Sequence, residues 1–552
     1  MFWSRAIPFG AVAVSAVAAL ATGTNTTGYI NEIFDSSMSY LDQIYDPTAG
    51  YLWYTYYPFA AGKHETRSTV WYAAGLLRRN QGSDVDNAVR IINSVIADQK
   101  KNVSDQWFGD YTKYPEEPTV GTAWYPESIY NSWDPNWRSF IGTALIIMYE
   151  EYGHLLPSTT LSLILESMHN NTIGDSYRVG GVDGDNLYPA YSNPSIMRAV
   201  GTGWTGMKLN DSNMTSAGEA YAQEVLDLFN LNNTLSEFNS PTYTGVSLYG
   251  LTLWAKYMPS SSVMGANGAR MIADIWTSVG EMYNANLRNI AGPWDRTYGW
   301  DQNLYIGIMN IYLLSMVGSA KGPNLNTVSH GKTPAWATTH ADDFEIAPLL
   351  SAILPYHQTL VPDEVKAKLA TFPGEHIYKT AAYSPPHDYK LRNVTTWLSD
   401  NITIGAESFD QDVVGGFSIN PPDWTPVVTQ WSRSDGSIGF FTWYATEAAL
   451  DVDVQPGSLS LSYPKGNETS IFTFVVVSNP YGQKRDILGW EDVMGLSVNV
   501  SGTVDLTPQI SFCGLLGGAC DPINEFEFWN FTYAMPAGST ETPSMVLNVE
   551  VF

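Results

Sequence analysis

Residues 85–98 read VDNAVRIINSVIAD. Val85, Ala88, Val89, Ile92, Val95 and Ile96 recur every three or four positions, which places them on one side of an α-helix. The same period returns on both sides of this segment. Tyr29–Tyr45 carries Ile30, Ile33, Phe34, Met38, Leu41 and Ile44 in one stripe after a Thr27 cap. Asp134 and Pro135 supply the cap and the first helical residue of Pro135–Tyr152. Similar patterns predict helices over Arg67–Asn80, Thr160–His169, Ser195–Met207, Ser216–Leu231, Thr244–Tyr257, Met264–Tyr283, Gln302–Met316, Phe344–Leu354 and Asp363–Leu369. Strand–helix alternation is absent. Amphipathic helices of this kind bury their stripes by pairing, and a dozen of them predict a closed ring of helical hairpins over residues 28–372.

The connections in this region are long, aromatic and rich in Pro and Gly, notably 46–63, 107–133, 180–194, 232–243 and 286–301. Loops of that length tend to carry function. Beyond about His376 the pattern shortens. Ile402–Ile404, Pro426–Gln430, Gly439–Tyr444, Leu459–Tyr463, Ile471–Val477, Val498–Val500 and Val546–Val551 are β-branched or aromatic runs bounded by Gly, Pro, Asn or Asp. They predict an antiparallel β-sandwich over 376–552.

The chain of 552 residues has 28 Lys and Arg against 55 Asp and Glu, a net charge of −27. A nucleic-acid binder needs a basic footprint, so that class is excluded. An anionic membrane is an equally poor partner. Arg5, the apolar run from Ala6 to Ala21 and the small residues of Ala19-Leu20-Ala21 form a secretory signal peptide over 1–21. Eleven Asn-x-Ser/Thr sequons, at Asn25, Asn102, Asn170, Asn210, Asn213, Asn232, Asn393, Asn401, Asn467, Asn499 and Asn530, agree with an extracellular glycoprotein. Cys513 and Cys520 are the only cysteines and suit one small disulfide. A soluble, secreted monomer is expected after cleavage.

Five segments concentrate polar and aromatic residues. Glu237 lies among aromatics in 236–243, where desolvation raises a carboxyl's pKa and makes a general acid. Residues 292–301 put Trp294, Asp295, Arg296, Tyr298, Trp300 and Asp301 within ten positions. Trp faces stack on sugar rings, and carboxylates bind hydroxyls or move protons. Asp295 is the stronger catalytic candidate, because Asp301 has a capping role before Gln302–Met316. Trp133 and Asp134 offer a subsite wall and a helix start. His340 is a candidate base in 339–345, and His64 and Arg67 open an apolar helix. No Gly-x-Ser-x-Gly, phosphate-binding, dinucleotide-binding or His-Glu-x-x-His motif occurs. No cofactor or metal is expected, although the Gly180–Asn186 loop has oxygen ligands of the calcium-binding type.

The helical hairpins, with Glu237-Phe-Asn-Ser-Pro-Thr-Tyr243 and Trp294-Asp-Arg-Thr-Tyr-Gly-Trp-Asp301, resemble the six-hairpin (α/α)-toroid superfamily of secreted carbohydrate-active enzymes. The resemblance covers residues 28–372 and implies a carbohydrate substrate. It assigns no catalytic residue. A toroid followed by a sandwich is also similar to the layout of several polysaccharide lyases. Some of those carry an Asn-Trp pair and an Ile-Gly in an early helix, as Asn136-Trp137 and Ile141-Gly142 do here. Their later Asp-Gly-Ser…His signature is missing from this toroid.

Two chemistries are open. Hydrolysis needs two carboxyls roughly 5–9.5 Å apart, with Glu237 and Asp295 as the leading pair. That pair predicts that E237Q and D295N lose turnover and keep the fold. Elimination needs a Tyr or His base and a group neutralising a uronate, with Tyr243, Tyr298 and His340 as bases and Asn239, Arg67 and Arg296 as neutralisers. The acidic balance favours neutral sugars and places hydrolysis first. A dehydratase or isomerase on the same scaffold, or a glycan-binding protein without catalysis, are the remaining readings.

Overall fold

A computed structural model describes residues 26–54, 62–178, 187–303, 307–323, 341–416, 424–477, 487–513 and 528–552. The signal segment 1–21, the Gly180–Asn186 loop, His340 and Cys520 lie outside them, as does the side chain of Cys513. The expected disulfide and the calcium reading therefore fall outside the described residues.

Among the described residues, ten longer helices occupy the first part of the chain: α1 (Thr26–Ile44), α2 (Thr66–Arg79), α3 (Asp84–Ala97), α4 (Asn136–Tyr152), α5 (Ser158–Ser176), α6 (Ser192–Leu209), α7 (Ser212–Phe229), α8 (Tyr243–Tyr257), α9 (Val263–Met282) and α10 (Ile308–Val317). They form two layers. In the inner wall α2, α4, α6, α8 and α10 each pack on the next, and α1 closes the gap between α10 and α2. In the outer layer α3, α5, α7 and α9 each back onto an inner helix. The sequence marks the difference. Inner α8 is buried without a break from Tyr243 to Trp254, whereas outer α3 buries Ala88, Ile91, Ile92, Val95 and Ile96 along one side, with Asp84 at its start. The α6–α7 pair needs glycine: a Cβ on Gly218 would lie 2.5 Å from Gly203 N.

Two expected helices differ. The last inner helix begins at Ile308, not Gln302. Phe344–Leu354 is broken into a 3₁₀ segment, Ala341–Ile346, and separate turns at Ala347–Leu350 and Leu354–His357. Pro348 and Pro355 lie in that stretch, and neither has an N–H for a continuous ladder. A small sheet, β1 (Tyr45–Asp46), β2 (Tyr51–Trp53) and β3 (His64–Glu65), was not expected from the sequence. Among the described residues no helix is long and apolar enough to cross a membrane.

The strands that follow make one large curled antiparallel sheet: β6 (His376–Ala382), β7 (Arg392–Leu398), β8 (Ile402–Asp410), β9 (Val427–Ser432), β10 (Ile438–Tyr444), β11 (Ala449–Gln455), β12 (Ser458–Ser462), β13 (Ile471–Val477), β14 (Leu496–Gly502), β15 (Gln509–Cys513), β16 (Phe528–Ala534) and β17 (Ser544–Val551). Between them in the chain order, β4 (Tyr283–Asn284) and β5 (Asn289–Ile290) form a separate ribbon among the helices. The path runs β14-β17-β12-β11-β8-β9-β10-β13-β16-β15, with β6 and β7 branching from β8. Curling brings two halves of the sheet face to face around Ile404, Phe441, Trp443, Phe474, Leu459, Leu461 and Met545. The expected sandwich thus has one sheet folded over as both layers.

Strand periodicity decides what each face does. On β10, Phe441 points into the sheet's own core while Phe440 points out; on β13, Val475 points out between Phe474 and Val476. The outward residues Val428, Phe440, Val475 and Phe528 pack on Trp294 and Trp300 of the helical region. Contact there is close enough that a Cβ on Gly405 of β8 would lie 1.7 Å from Gly292 O.

The helical core holds one titratable group with a clear consequence. Trp276 Nε1 donates to His357 Nε2 at 2.8 Å, and His357 Nδ1 lies 2.7 Å from Thr252 Oγ1, whose own proton goes to Leu248 O. Nε2 is therefore an acceptor and the ring is neutral. Burial lowers its pKa to about 3. Unfolded chains take up the proton near pH 6.5, the folded chain only near 3, so this group's contribution is intact above 6.5 and is lost as pH falls below it. Urea denaturation at pH 7 and pH 4.5 is expected to show a loss on the order of 1–3 kcal/mol from this site, and His357→Gln to flatten that dependence.

Candidate functional site

The loops 232–243 and 291–301 are fastened to one another along their length. Asn239 takes the left-handed conformation at φ 54° and its amide donates to Ala291 O at 2.8 Å and Pro293 O at 2.9 Å. Phe238 and Asp295 exchange two bonds: Phe238 N donates to Asp295 Oδ2 and Asp295 N to Phe238 O, both at 2.9 Å. Ser240 Oγ donates to Arg296 O at 2.7 Å and accepts from Tyr243 N at the start of α8. The outcome is a tyrosine pair. The hydroxyls of Tyr243 and Tyr298 are 3.1 Å apart. The Arg296 guanidinium lies 4.0 Å from the centre of the Tyr243 ring and 5.0 Å from that of Tyr191. Burial raises the Tyr243 pKa, and Arg296 opposes that rise.

A second polar group adjoins the first. Tyr191, just before α6, accepts a hydrogen bond from Asn136 Nδ2 at 3.1 Å, and Asn136 Oδ1 accepts from Arg178 Nη1 at 3.1 Å. Asn136 opens α4, where Asp134 Oδ1 takes its backbone N–H at 2.9 Å. Burial raises the Asp134 carboxyl, against the pull of Asn136 N–H, Lys113, Arg178 and Arg67. Tyr243, Tyr298, Arg296, Tyr191, Asn136, Arg178 and Asp134 thus form one connected cluster where α4, α6 and α8 begin. Asp134, Arg296 and Tyr298 are its half-buried members.

The two leading carboxylates are both engaged. Glu237 is fully buried; Arg296 Nη1 donates to its Oε1 at 3.0 Å, and Asn193 donates twice to its Oε2, from N at 2.9 Å and Nδ2 at 2.8 Å. Burial raises its pKa while Arg296 and Asn193 hold the ionised form. Both oxygens of Asp295 accept from Arg392 Nη1, at 2.7 and 2.6 Å, from β7. The sequence reading paired these two carboxylates; in the structure both are buried and each is bound to its own arginine, Glu237 to Arg296 and Asp295 to Arg392.

Trp294 and Trp300 are at most 1% exposed and sit in the core between helices and sheet, so their faces are not available as a sugar platform. Trp133 is buried with its ring 6.2 Å from Trp107. Asn239 spends both amide hydrogens on backbone. Asp301 does not cap a helix; its Oδ1 accepts from Asn303 N at 3.0 Å and Nδ2 at 3.2 Å, which ties a turn. His64 belongs to a neighbouring group, stacked on Trp53 at 3.9 Å, with Nδ1 2.5 Å from Glu116 Oε1. Arg67 lies over Trp71 and Trp137 at 4.8 and 5.6 Å.

Reading the loops alone left out Tyr191, Arg178, Asn193, Arg392 and His387. Asn136 was visible only through the Asn136-Trp137 resemblance. Tyr191-Ser192-Asn193-Pro194 had the signal, a polar helix start after a long loop. His387, between β6 and β7, meets Tyr188 edge-on at 5.5 Å, with Nδ1 3.6 Å from Asp412; nothing in its local sequence marks that contact. Among the described residues no group of three or more His, Cys, Asp or Glu is placed to hold a metal ion.

Residues 31–355 match the family described as Domain of unknown function (DUF8769), and the chain belongs to that family. Residues 374–550 match a second, described as Domain of unknown function (DUF8770). No curated protein matches the chain. Three solved structures are similar to it. A heparinase III is 10% identical over 95% of this chain and 85% of its own, with a TM-score of 0.40. A mutant of the heparan sulfate lyase HepC from Pedobacter heparinus is 9% identical over 95% and 83%, with a TM-score of 0.30. The heparinase III-BT4657 gene product is 8% identical over 89% and 78%, with a TM-score of 0.32.

Asp295→Ala strips Arg392 of its bidentate partner in a dry interior. A cost of about 3–5 kcal/mol is expected, measurable by urea denaturation; a carboxylate placed only for catalysis would cost little.

Proposed function

We propose that the protein is a secreted carbohydrate-active enzyme that cleaves a uronate-containing polysaccharide by β-elimination. The observation that carries this reading is the tyrosine pair with Arg296 over its ring, adjoining Asn136 and Arg178. Elimination needs a base near the proton on C5 and donors for the adjacent carboxylate. Tyr298, the more exposed of the pair, takes the C5 proton as a tyrosinate. Tyr243 donates a hydrogen bond to that oxygen, and the Arg296 guanidinium favours its negative charge. Asn136 and Arg178 hold the uronate carboxylate as charge spreads into it. The C4–O bond then breaks, a C4=C5 double bond forms, and Tyr298 returns its proton to the departing oxygen.

Hydrolysis asks for two carboxyls that can reach one glycosidic bond. Glu237 and Asp295 are each committed to an arginine, which favours elimination over the hydrolysis ranked first from the sequence. Heparan sulfate lyase is also the activity named for one of the similar structures; the reading does not depend on that likeness. The net charge of −27 opposes long-range attraction of a polyanion, so recognition falls to the local guanidinium groups, and added salt should weaken binding only mildly. Secretion and glycosylation belong to the same proposal. Of the ten sequon asparagines among the described residues, seven are exposed and three half-buried.

The test is the product. Incubation with uronate-containing polysaccharides should release chains with the ultraviolet absorbance of an unsaturated uronide. Tyr298→Phe and Asn136→Ala should each lower that rate by about 10²-fold or more and keep the fold. New reducing ends without the absorbance would replace elimination by hydrolysis.

A further inference from the structure

Arg392 is 1% exposed and lies on β7, outside the tyrosine cluster. All three of its guanidinium nitrogens are engaged. Nη1 donates to both carboxylate oxygens of Asp295, at 2.7 and 2.6 Å. Nη2 donates to Ser236 O at 2.7 Å and to Ser384 Oγ at 2.8 Å. Nε donates to Asp388 Oδ2 at 3.0 Å. Two of these anchors have a special position in sequence. Ser236 directly precedes Glu237, and Asp295 directly precedes Arg296. One planar fork therefore holds the residue before each member of the Glu237–Arg296 ion pair, one on each loop.

We propose that Arg392, delivered by the sheet, is a positioning residue for the site: it fixes the spacing of the loops that carry Tyr243 and Tyr298. The inference rests on the elimination reading for its rate consequence only. A lysine cannot replace the fork, because one ammonium cannot span a bidentate carboxylate, a backbone carbonyl and a hydroxyl in one plane. The surroundings keep the group rigid. Asp388 is held by Ser384 N at 2.8 Å and Gln411 Nε2 at 3.0 Å, and Glu407, 3.6 Å from Nη1, accepts from Trp424 Nε1 at 3.0 Å. Asp295, Asp388 and Glu407 place three carboxyls around one cation. Burial pushes the Glu407 carboxyl above the usual carboxylate range, against the pull of Arg392.

The experiment uses the full-length protein with Arg392→Lys. On a uronate polymer, kcat is expected to fall at least ~10-fold with KM within ~3-fold, the split of a geometry lost in the transition state. With 3-fluorotyrosine at position 298, the ¹⁹F resonance is expected to shift in the folded variant, and this needs no substrate. Should Arg392→Lys fail to fold, Ser384→Ala removes a single anchor without changing charge; a shifted resonance and a kcat reduced by about 3-fold are then expected. A folded variant with the wild-type resonance overturns the proposal, as does a wild-type kcat. Failure of the elimination reading looks different: the wild type yields no unsaturated product, while the resonance still moves.

Discussion

One buried guanidinium joins the two parts of this molecule. Arg392 comes from the sheet and Asp295 and Ser236 from the helical loops, and the ion pair between them is shut away from water. Such a pair adds little net stability, because taking both charges out of water offsets most of their attraction. What it does enforce is geometry. A planar guanidinium held at all three nitrogens tolerates few orientations, so the loops have few ways to sit on the sheet. The apolar contact around Trp294 and Trp300 supplies the adhesion, and Arg392 supplies the register.

The site follows from that division of labour. Inner helices of a closed wall present their first turns on one side, and long loops cover them. A loop as long as 232–243 has a high entropy when free. Here it is ordered by bonds to its neighbour through Asn239, Ser240 and Phe238. The acidic composition then makes sense locally. Cations are scarce in the chain, yet Arg178 and Arg296 both join the tyrosine cluster. Glu237 and Asp134 keep that gathering soluble in the protein interior without neutralising every donor.

The helical layers were legible in the sequence because a 3.6-residue stripe is a local property. Outer α3 shows it plainly, and the observed buried set is close to the stripe read from residues 85–98. The inner helices were found for the same reason, although their all-round burial blurs the pattern. The sheet was partly legible. β13 and β10 stand out as apolar runs, whereas β6 and β11 alternate with charged residues and were missed. Curling of the sheet over itself is set by pairings between distant strands, which no local run of residues records.

In the loops, the residues were legible and their partners were not. The dense polar and aromatic loops do come together: Tyr243, Tyr298 and Arg296 meet there. Their chemistry was not assignable from neighbours in sequence, because the decisive partners are far away. Asp295 looks like a catalytic acid beside Trp294 and Arg296, and only Arg392, 97 positions on, turns it into an anchor. Trp294 and Trp300 look like sugar platforms until the outward face of β10 and β13 covers them. The same density of Trp and carboxylate arises whenever a loop must be glued to a second layer, so such a cluster reports an interface first. Which of its members face the solvent is decided by the partner surface, and here that surface is the sheet.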